Sequence, residues 1–201
     1  MDQLFDGRRL RALTLVDNYT RECLAIDIGQ NLRGDEVVAM LGCVCALRGL
    51  PRAIKTDNGS EYISKAIDRW AYENGVEIDY SRPGKPTDNA QCESFNGRFR
   101  QECLNNHWFL SFADAKEKID AWRPYYSEVR PHSALKWQAP AEYARQHLAD
   151  GQMPTSMSRK SLLLIRTNSG LGSACATALR HALRDGNAMR HHLIVLAARR
   201  A

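Results

Sequence analysis

The beginning of the chain combines two short β-prone runs with a polar turn, and this combination restricts the fold most. Leu10–Val16 and Cys23–Ile28 are mostly apolar, and Asp17–Thr20 between them has the composition of a turn. Two runs of this kind around a short turn are typical of an antiparallel hairpin. The fold is therefore expected to contain an antiparallel pair of strands at its start.

Helical and strand patterns alternate after this hairpin. A first helix is predicted over Asp35–Arg48, because its apolar residues recur at helical spacing and Gly49 follows its end. The elements predicted next are a strand over Arg52–Thr56, a helix from Ser64 to Asn74, a strand over Val76–Tyr80 and a helix over Asn89–Leu104. A hairpin followed by such alternation predicts an α/β fold, a mixed sheet with helices on its faces.

The composition agrees with a globular domain and excludes several other classes of protein. Of the 201 residues, 44% are hydrophobic and 25% are charged, which excludes collagen, a coiled-coil rod and a fully disordered chain. The late apolar run Leu193–Ala198 is far shorter than the roughly 20 apolar residues of a membrane span. The first residues lack the pattern of a signal peptide, so a cytoplasmic protein without membrane contact is expected.

The charges divide the chain into two parts. Residues 1–147 contain 20 basic and 21 acidic side chains, a net charge of −1, whereas residues 148–201 contain 8 and 2, a net charge of +6. The second part is also rich in Ala, Arg and His, and parts of it have no clear hydrophobic period. We therefore predict one domain over residues 1–147 and a basic tail over residues 148–201 that is not part of its core.

The six cysteines give no sign of a metal site or a disulfide framework. No two of them have the C-x-x-C spacing of a zinc site. Disulfide frameworks belong to secreted chains, and no secretory signal is present. The cysteines are expected to be small buried side chains.

Asp57 and Glu93 are the candidate functional residues. Asp57 follows a predicted strand, and ligands of open α/β sheets bind beyond the carboxyl ends of the strands. Each residue alone has an ordinary interpretation, Asp57 as a turn residue and Glu93 as a solvated helix carboxylate. Together they supply the hard oxygen ligands that Mg²⁺ and Mn²⁺ prefer. Two such ions can hold the attacking and leaving oxygens of a phosphodiester.

Three segments resemble one known family. Thr56–Tyr62 (TDNGSEY) and Asn89–Gly97 (NAQCESFNG), with 35 residues between Asp57 and Glu93, resemble the last two motifs of the Asp-Asp-35-Glu integrase core. Arg130–Leu135 (RPHSAL), followed by Pro140–Tyr143 (PAEY), resembles the closing motif of the orfB-type transposases of bacterial insertion sequences, which are similar to retroviral integrases. The resemblance covers about residues 2–147.

This resemblance implies a ribonuclease H-like fold, a mixed sheet with helices on both faces, and metal-dependent phosphoryl transfer on DNA. Water and then a DNA 3′-hydroxyl would attack a phosphodiester, which gives strand cleavage and strand transfer on insertion-sequence DNA. It implies that Asp57 and Glu93 are catalytic and hold Mg²⁺ or Mn²⁺. It also implies that Arg100 approaches the DNA backbone and that the chain forms a homo-oligomer. The ordinary interpretation of Arg100 is a solvated surface arginine.

The sequence departs from this family at the first catalytic aspartate. The family carries that residue on its opening strand, in a Trp-x-x-Asp-Phe-type motif that would precede Asp2. The chain is therefore expected to be truncated and to lack most of the first strand. Asp2 would lie about 13 Å from the required position, at about 3.3 Å per strand residue. Asp17 is interpreted as a turn residue, with metal ligation as the alternative.

Three functions remain open at this stage. The first is the catalytic core of a transposase, the second a catalytically dead DNA-binding or dimerising remnant, and the third another ribonuclease H-like nuclease that acts on RNA–DNA hybrids. The 35-residue spacing and the closing motif favour the first over the third. The absent aspartate favours the second over the first for this polypeptide.

One histidine and three aromatic residues are expected to have structural roles. His132 is interpreted as a packing or capping residue rather than a catalytic base. Trp122, Tyr125 and Tyr126 have helical spacing and are expected to lie in the core rather than to stack on bases.

Overall fold

A five-stranded mixed sheet forms the centre of the fold in the computed structural model, which describes residues 3–56, 64–80, 90–149 and 193–198. The strands in chain order are β1 (Arg11–Asp17), β2 (Cys23–Gly29), β3 (Ala53–Thr56), β4 (Glu77–Tyr80) and β5 (Leu193–Ala198). Across the sheet their order is β2-β1-β5-β3-β4. β1 is antiparallel to β2 and β5, whereas β3 is parallel to β4 and β5. The predicted hairpin is confirmed.

Five α-helices surround the sheet within the described ranges: α1 (Gly34–Arg48), α2 (Lys65–Asn74), α3 (Ala90–Glu102), α4 (Phe112–Pro124) and α5 (Pro140–Ala149). The three predicted helices are confirmed to within two residues, because their ends carry strong signals. Ser64 caps α2 by accepting a hydrogen bond from the Ile67 amide, and Gly75 ends it in a left-handed conformation. The longest of these helices has 15 residues, and none of them is apolar and long enough to cross a bilayer.

Two hydrophobic cores lie on opposite faces of the sheet. Leu13 and Leu15 of β1 pack with Ile54 of β3 against the buried sides of α1 and α2. Val16 of β1 packs on the other face, with α3 and α4. Successive residues of β1 thus alternate between the cores, as the pleat of a strand requires. The predicted mixed sheet with helices on both faces is confirmed.

The middle strand of the sheet comes from the predicted tail. Leu193–Ala198 lies between β1 and β3, so for these six residues the expectation of a tail outside the core is wrong. A middle strand covered on both faces is apolar along its whole length, and this run is apolar throughout although basic and histidine residues flank it. The net positive charge of residues 148–201 does not indicate this apolar run. The rest of the tail after α5 lies outside the described residues.

The cysteines within the described residues follow the prediction with one exception. Cys23, Cys45, Cys92 and Cys103 are buried and not disulfide-bonded, and burial raises the thiol pKa of Cys23, Cys45 and Cys103 to about 12. Cys43 on α1 is disulfide-bonded, which corrects the expectation for that residue. The thiols of Cys23, Cys45 and Cys103 are therefore neutral near pH 7 and act as small apolar side chains.

Candidate active site on helix α3

Helix α3 is held rigidly by an aromatic core. Cys92, Phe95 and Phe99 form its buried stripe. The ring of Phe95 lies 4.9 Å from that of Tyr126, edge to face, and the ring of Phe99 lies 5.1 Å from that of Trp122. Such aromatic pairs contribute about 0.5–1.5 kcal/mol each beyond the area that they bury. A functional side chain on this helix therefore starts from a fixed backbone.

A polar ridge runs along the margin of that buried stripe. Glu93, Asn96 and Arg100 are three and then four residues apart, so they lie one above the other on α3. Glu93 is exposed, whereas Asn96 and Arg100 are partly buried. The hydroxyl of Thr14 on β1 lies 3.3 Å from Oδ1 of Asn96, to which it donates a hydrogen bond. This contact fixes the ridge to the sheet.

The register of the sheet gives the position of the contact between Thr14 and Asn96 along the strands. Thr56, the last residue of β3, pairs with Leu196 of β5. The next residue of β5, Ala197, pairs with Thr14. Thr14 therefore lies level with the point at which β3 ends. The polar ridge of α3 crosses the sheet beside the carboxyl end of β3, the edge at which α/β sheets bind their ligands.

Of the two predicted carboxylates, Glu93 lies within the described residues. Glu93 lies in the first turn of α3, one turn before Asn96. Asp57 follows Thr56 directly and lies outside the described residues, so its approach to Glu93 stays a prediction. Within the described ranges, no three acidic, histidine or cysteine side chains cluster closely enough to hold a metal ion.

The side chain of Asp17 stabilises the turn after β1. Its Oδ1 accepts hydrogen bonds from the amides of Tyr19 and Thr20 at 2.8 and 2.9 Å, and the side chain is buried. It pairs with Ile194, which is level with Ile54 rather than with the end of β3. At about 3.3 Å per residue this is roughly 10 Å short of the position after Thr56. The geometry favours the turn interpretation over metal ligation.

A second polar cluster lies between the end of α3 and the closing motif. Nε of Arg130 donates to both carboxylate oxygens of Glu102 at 2.9 and 3.0 Å. The ring of His132 packs edge to face on Tyr126, with the centroids 4.9 Å apart. Burial, together with the guanidinium groups of Arg130, Arg21 and Arg98, lowers the pKa of His132 to about 4. His132 is therefore neutral near pH 7, and its contacts are those of a packing residue.

The aromatic residues of the closing region only partly follow their predicted roles. Trp122 and Tyr126 are buried, which confirms the expectation that they belong to the core. Tyr125 is about half exposed, so that expectation is wrong for it. Tyr125 begins a π-helical turn after α4, directly before the buried Tyr126.

Sequence reasoning missed the residues that attach the candidate site to the sheet. The family motifs do not mark Asn96 as functional, although it follows Glu93 at the i+3 spacing that places two side chains together. Thr14 is a polar residue inside the otherwise apolar run Ala12–Val16, which is a signal for a buried hydrogen bond. Neither signal identifies its partner, because 82 residues separate the two along the chain.

Comparison with known families gives one consistent match. Two descriptions of the integrase core domain match residues 1–86 and residues 74–140. The chain is 47% identical over 156 residues to an uncharacterised 31.7 kDa protein of the insertion element IS407 from Burkholderia multivorans, covering 78% of this chain and 56% of that protein. The chain spans about half the length of two curated relatives that it matches.

Solved structures agree on the fold. One is the intasome of simian T-cell lymphotropic virus in complex with the PP2A regulatory subunit B56 gamma, with a TM-score of 0.60 and 14% identity over 84% of this chain and 58% of that one. Another is the HTLV-2 integrase catalytic core domain in complex with magnesium, in a trimeric form, with a TM-score of 0.52 and 13% identity over 71% of this chain and 90% of that one. These similarities confirm the ribonuclease H-like fold.

Proposed function

The chain belongs to the family of integrase core domains found in insertion-sequence transposases, and on that premise we propose that it acts on DNA in transposition. The proposed chemistry is metal-dependent phosphoryl transfer, in which a DNA strand is cut and its end is joined to a second DNA. The candidate ligands of the metal are the carboxylates of Asp57 and Glu93. The candidate contact to the DNA backbone is Arg100.

The position of Glu93 supports this proposal more than any other observation. The carboxylate is exposed, and it lies on a helix that the aromatic core and the contact between Thr14 and Asn96 fix to the sheet. That contact lies level with the end of β3, which Asp57 follows. A short turn from β3 then suffices to bring the two carboxylates within the distance that two ions about 3.5–4 Å apart can bridge.

The donor set suits a hard divalent cation. Carboxylate oxygens at Asp57 and Glu93, with the amide oxygen of Asn96 one turn along the ridge, are ligands of the type that Mg²⁺ and Mn²⁺ prefer. When bound, such an ion supplies Lewis-acid stabilisation of the charge that develops on a phosphodiester. The chain would hold the two carboxylates on fixed elements, Glu93 on α3 and Asp57 after β3. This arrangement would keep the ion and the phosphate in a constant relative position.

The basic side chains of α3 support DNA as the substrate. Arg98 is exposed, and Arg100 lies seven residues after Glu93 on the same ridge, about 10 Å along the helix at 1.5 Å per residue. Guanidinium groups at this distance match the charge of phosphates on either side of a reacting phosphodiester. Phosphate contacts of this kind position DNA without reading its sequence. A homo-oligomer remains part of the proposal, because transposition acts on two DNA ends.

The experiment that tests the proposal uses the ends of the DNA element that carries this gene. A fluorescent duplex with those ends is incubated with the chain and Mn²⁺, and cut and joined strands are resolved on a denaturing gel. Asp57→Asn and Glu93→Gln are expected to lower the yield about 100-fold or more, because essential members of a catalytic set act together. Glu117→Gln, which removes an exposed carboxylate from α4, serves as the matched control. Unchanged products with Glu93→Gln would contradict the proposal.

A second candidate function, a catalytically inactive DNA-binding or dimerising protein, rests on the middle strand of the sheet. β5 consists of Leu-Ile-Val-Leu-Ala-Ala and contains no carboxylate. The family resemblance implies a third catalytic acid, on a strand next to Asp57 and Glu93. The residues of β5 do not supply it. The same gel separates the candidates: no metal-dependent product from the wild-type chain, together with retained DNA binding in a mobility-shift assay, favours the second.

A further inference from the structure

Among the described residues, the last strand alone joins the sheet into one piece. Ile194–Ala198 pairs with Leu13–Asp17 of β1, and Leu193–Leu196 pairs with Ala53–Thr56 of β3. No ladder joins β1 directly to β3 within the described residues. If β5 left its place, two separate pairs would remain, β1 with β2 and β3 with β4. The gap between them would expose the unpaired amides and carbonyls of two strand edges.

The neighbours of that gap define which strand it accepts. On one face the gap is bordered by Leu13, Leu15 and Ile54, which are fully buried, and on the other face by Val16. A strand between them has apolar cores on both sides, so a charged side chain at positions 194–196, which pair with both β1 and β3, would lose its hydration without a partner. A slip of one residue would exchange the two faces of the strand. The gap thus selects a short, uncharged, β-prone segment.

The covalent connection does not set this pairing. Forty-three residues separate Ala149, the end of α5, from Leu193. The direction and the register of β5 are fixed by the hydrogen-bonding edges of β1 and β3.

We propose that the gap between β1 and β3 is a strand-acceptor site and that its ligand is the chain's own segment Leu193–Ala198. The site recognises an apolar strand that runs antiparallel to β1 and parallel to β3. It accepts the same segment when that segment is supplied as a separate peptide. This proposal concerns the assembly of the sheet and does not depend on the proposed function.

The first test weakens the segment in the full-length chain. Val195 pairs with Val16 on one side and with Lys55 on the other. Val195→Pro removes an amide from the middle of the sheet and should lower the thermal midpoint by about 6–12 °C. Val195→Ile keeps the amide and the strand preference, and is expected to leave the midpoint within about 2 °C. An unchanged midpoint with Val195→Pro would overturn the proposal.

Rescue in trans distinguishes an acceptor site from an ordinary structural role. A peptide of residues 190–201, added at millimolar concentration to the Val195→Pro chain, should raise its thermal midpoint in a concentration-dependent way. The matched control is the same peptide with proline at position 195, which should have no effect. Failure of the first peptide to stabilise the variant would refute the acceptor site.

A cross-link covers the case in which the proline variant does not fold. Leu15 and Leu196 are partners in the antiparallel ladder, where Cα atoms lie about 4.5–5.5 Å apart and cysteines can join. Leu15→Cys with Leu196→Cys should oxidise to an intramolecular disulfide, identified by peptide mass spectrometry. The control pair, Leu15→Cys with Ile194→Cys, is two residues out of register and should oxidise much more slowly. Equal rates for both pairs, or a disulfide-linked dimer, would overturn the assignment.

Discussion

Replacing Thr14 by valine tests whether a buried polar contact holds α3 on the sheet. Thr14 is 2% exposed, and its hydroxyl donates to Asn96 over 3.3 Å. Valine has the same shape but lacks the donor. The net contribution of a neutral hydrogen bond of this kind is about 1 kcal/mol. For a domain of this size, that loss is expected to lower the thermal midpoint by about 2–4 °C.

A double-mutant cycle separates this contact from other effects of the substitution. Thr14→Val, Asn96→Ala and the double variant are unfolded in urea, and the free energies of unfolding are compared. We expect a coupling of about 1 kcal/mol, since each single substitution removes the same interaction. The control cycle pairs Thr14→Val with Gln146→Ala on α5, and these effects should add. Additive effects of Thr14→Val and Asn96→Ala would refute the reasoning.

Three further predictions concern charge. Arg100→Ala should weaken binding to any DNA duplex and reduce the slope of log affinity against log salt by about one, whereas Arg145→Ala on α5 should not. The pKa of His132 is lower in the folded chain, about 4, than the ordinary 6.5, so its contribution to stability is present above pH 6.5 and is lost as pH falls towards 4. His132→Gln should flatten the dependence of the urea midpoint on pH in that window. Ala197→Asp, level with the end of β3, should raise Mn²⁺ affinity in calorimetry, whereas Ala198→Asp, at the next position of the alternating strand, should not.

The local elements could be predicted because their ends carry local signals. Ser64 and Gly75 give the limits of α2 through a cap and a left-handed residue, and both act within one turn of the helix. The β1–β2 hairpin follows likewise from two runs and a four-residue turn. Each of these features depends on contacts between neighbours in sequence, which composition and spacing report directly.

The position of β5 could not be predicted in the same way. Its partners lie about 140 and 180 residues away along the chain. A six-residue apolar run is compatible with a buried strand or with part of a buried helix, and periodicity alone does not decide between them. The choice is made by the edges of β1 and β3, which exist only after the rest of the domain has folded. The contact between Thr14 and Asn96 escaped prediction for the same reason.

The sequence predicts the residues of the candidate site but not the side chains that hold them in place. Residue type and spacing predict Asp57 and Glu93, and their role at the site stays a prediction. The side chains that hold Glu93 in place come from β1 and α4, far away in sequence. Their roles depend on the packing of the sheet, so only the folded chain reveals them.

Paramagnetic broadening by Mn²⁺ tests the metal site of the proposed function most directly. Mn²⁺ is titrated into the isotopically labelled full-length chain, and the backbone amide signals are followed by nuclear magnetic resonance. If Asp57 and Glu93 hold the ion, the amides of Glu93, Asn96 and Thr14 should broaden first, and Glu93→Gln should abolish the effect. Broadening centred instead on Tyr19, in the turn that Asp17 caps, or an unchanged pattern with Glu93→Gln, would contradict the account.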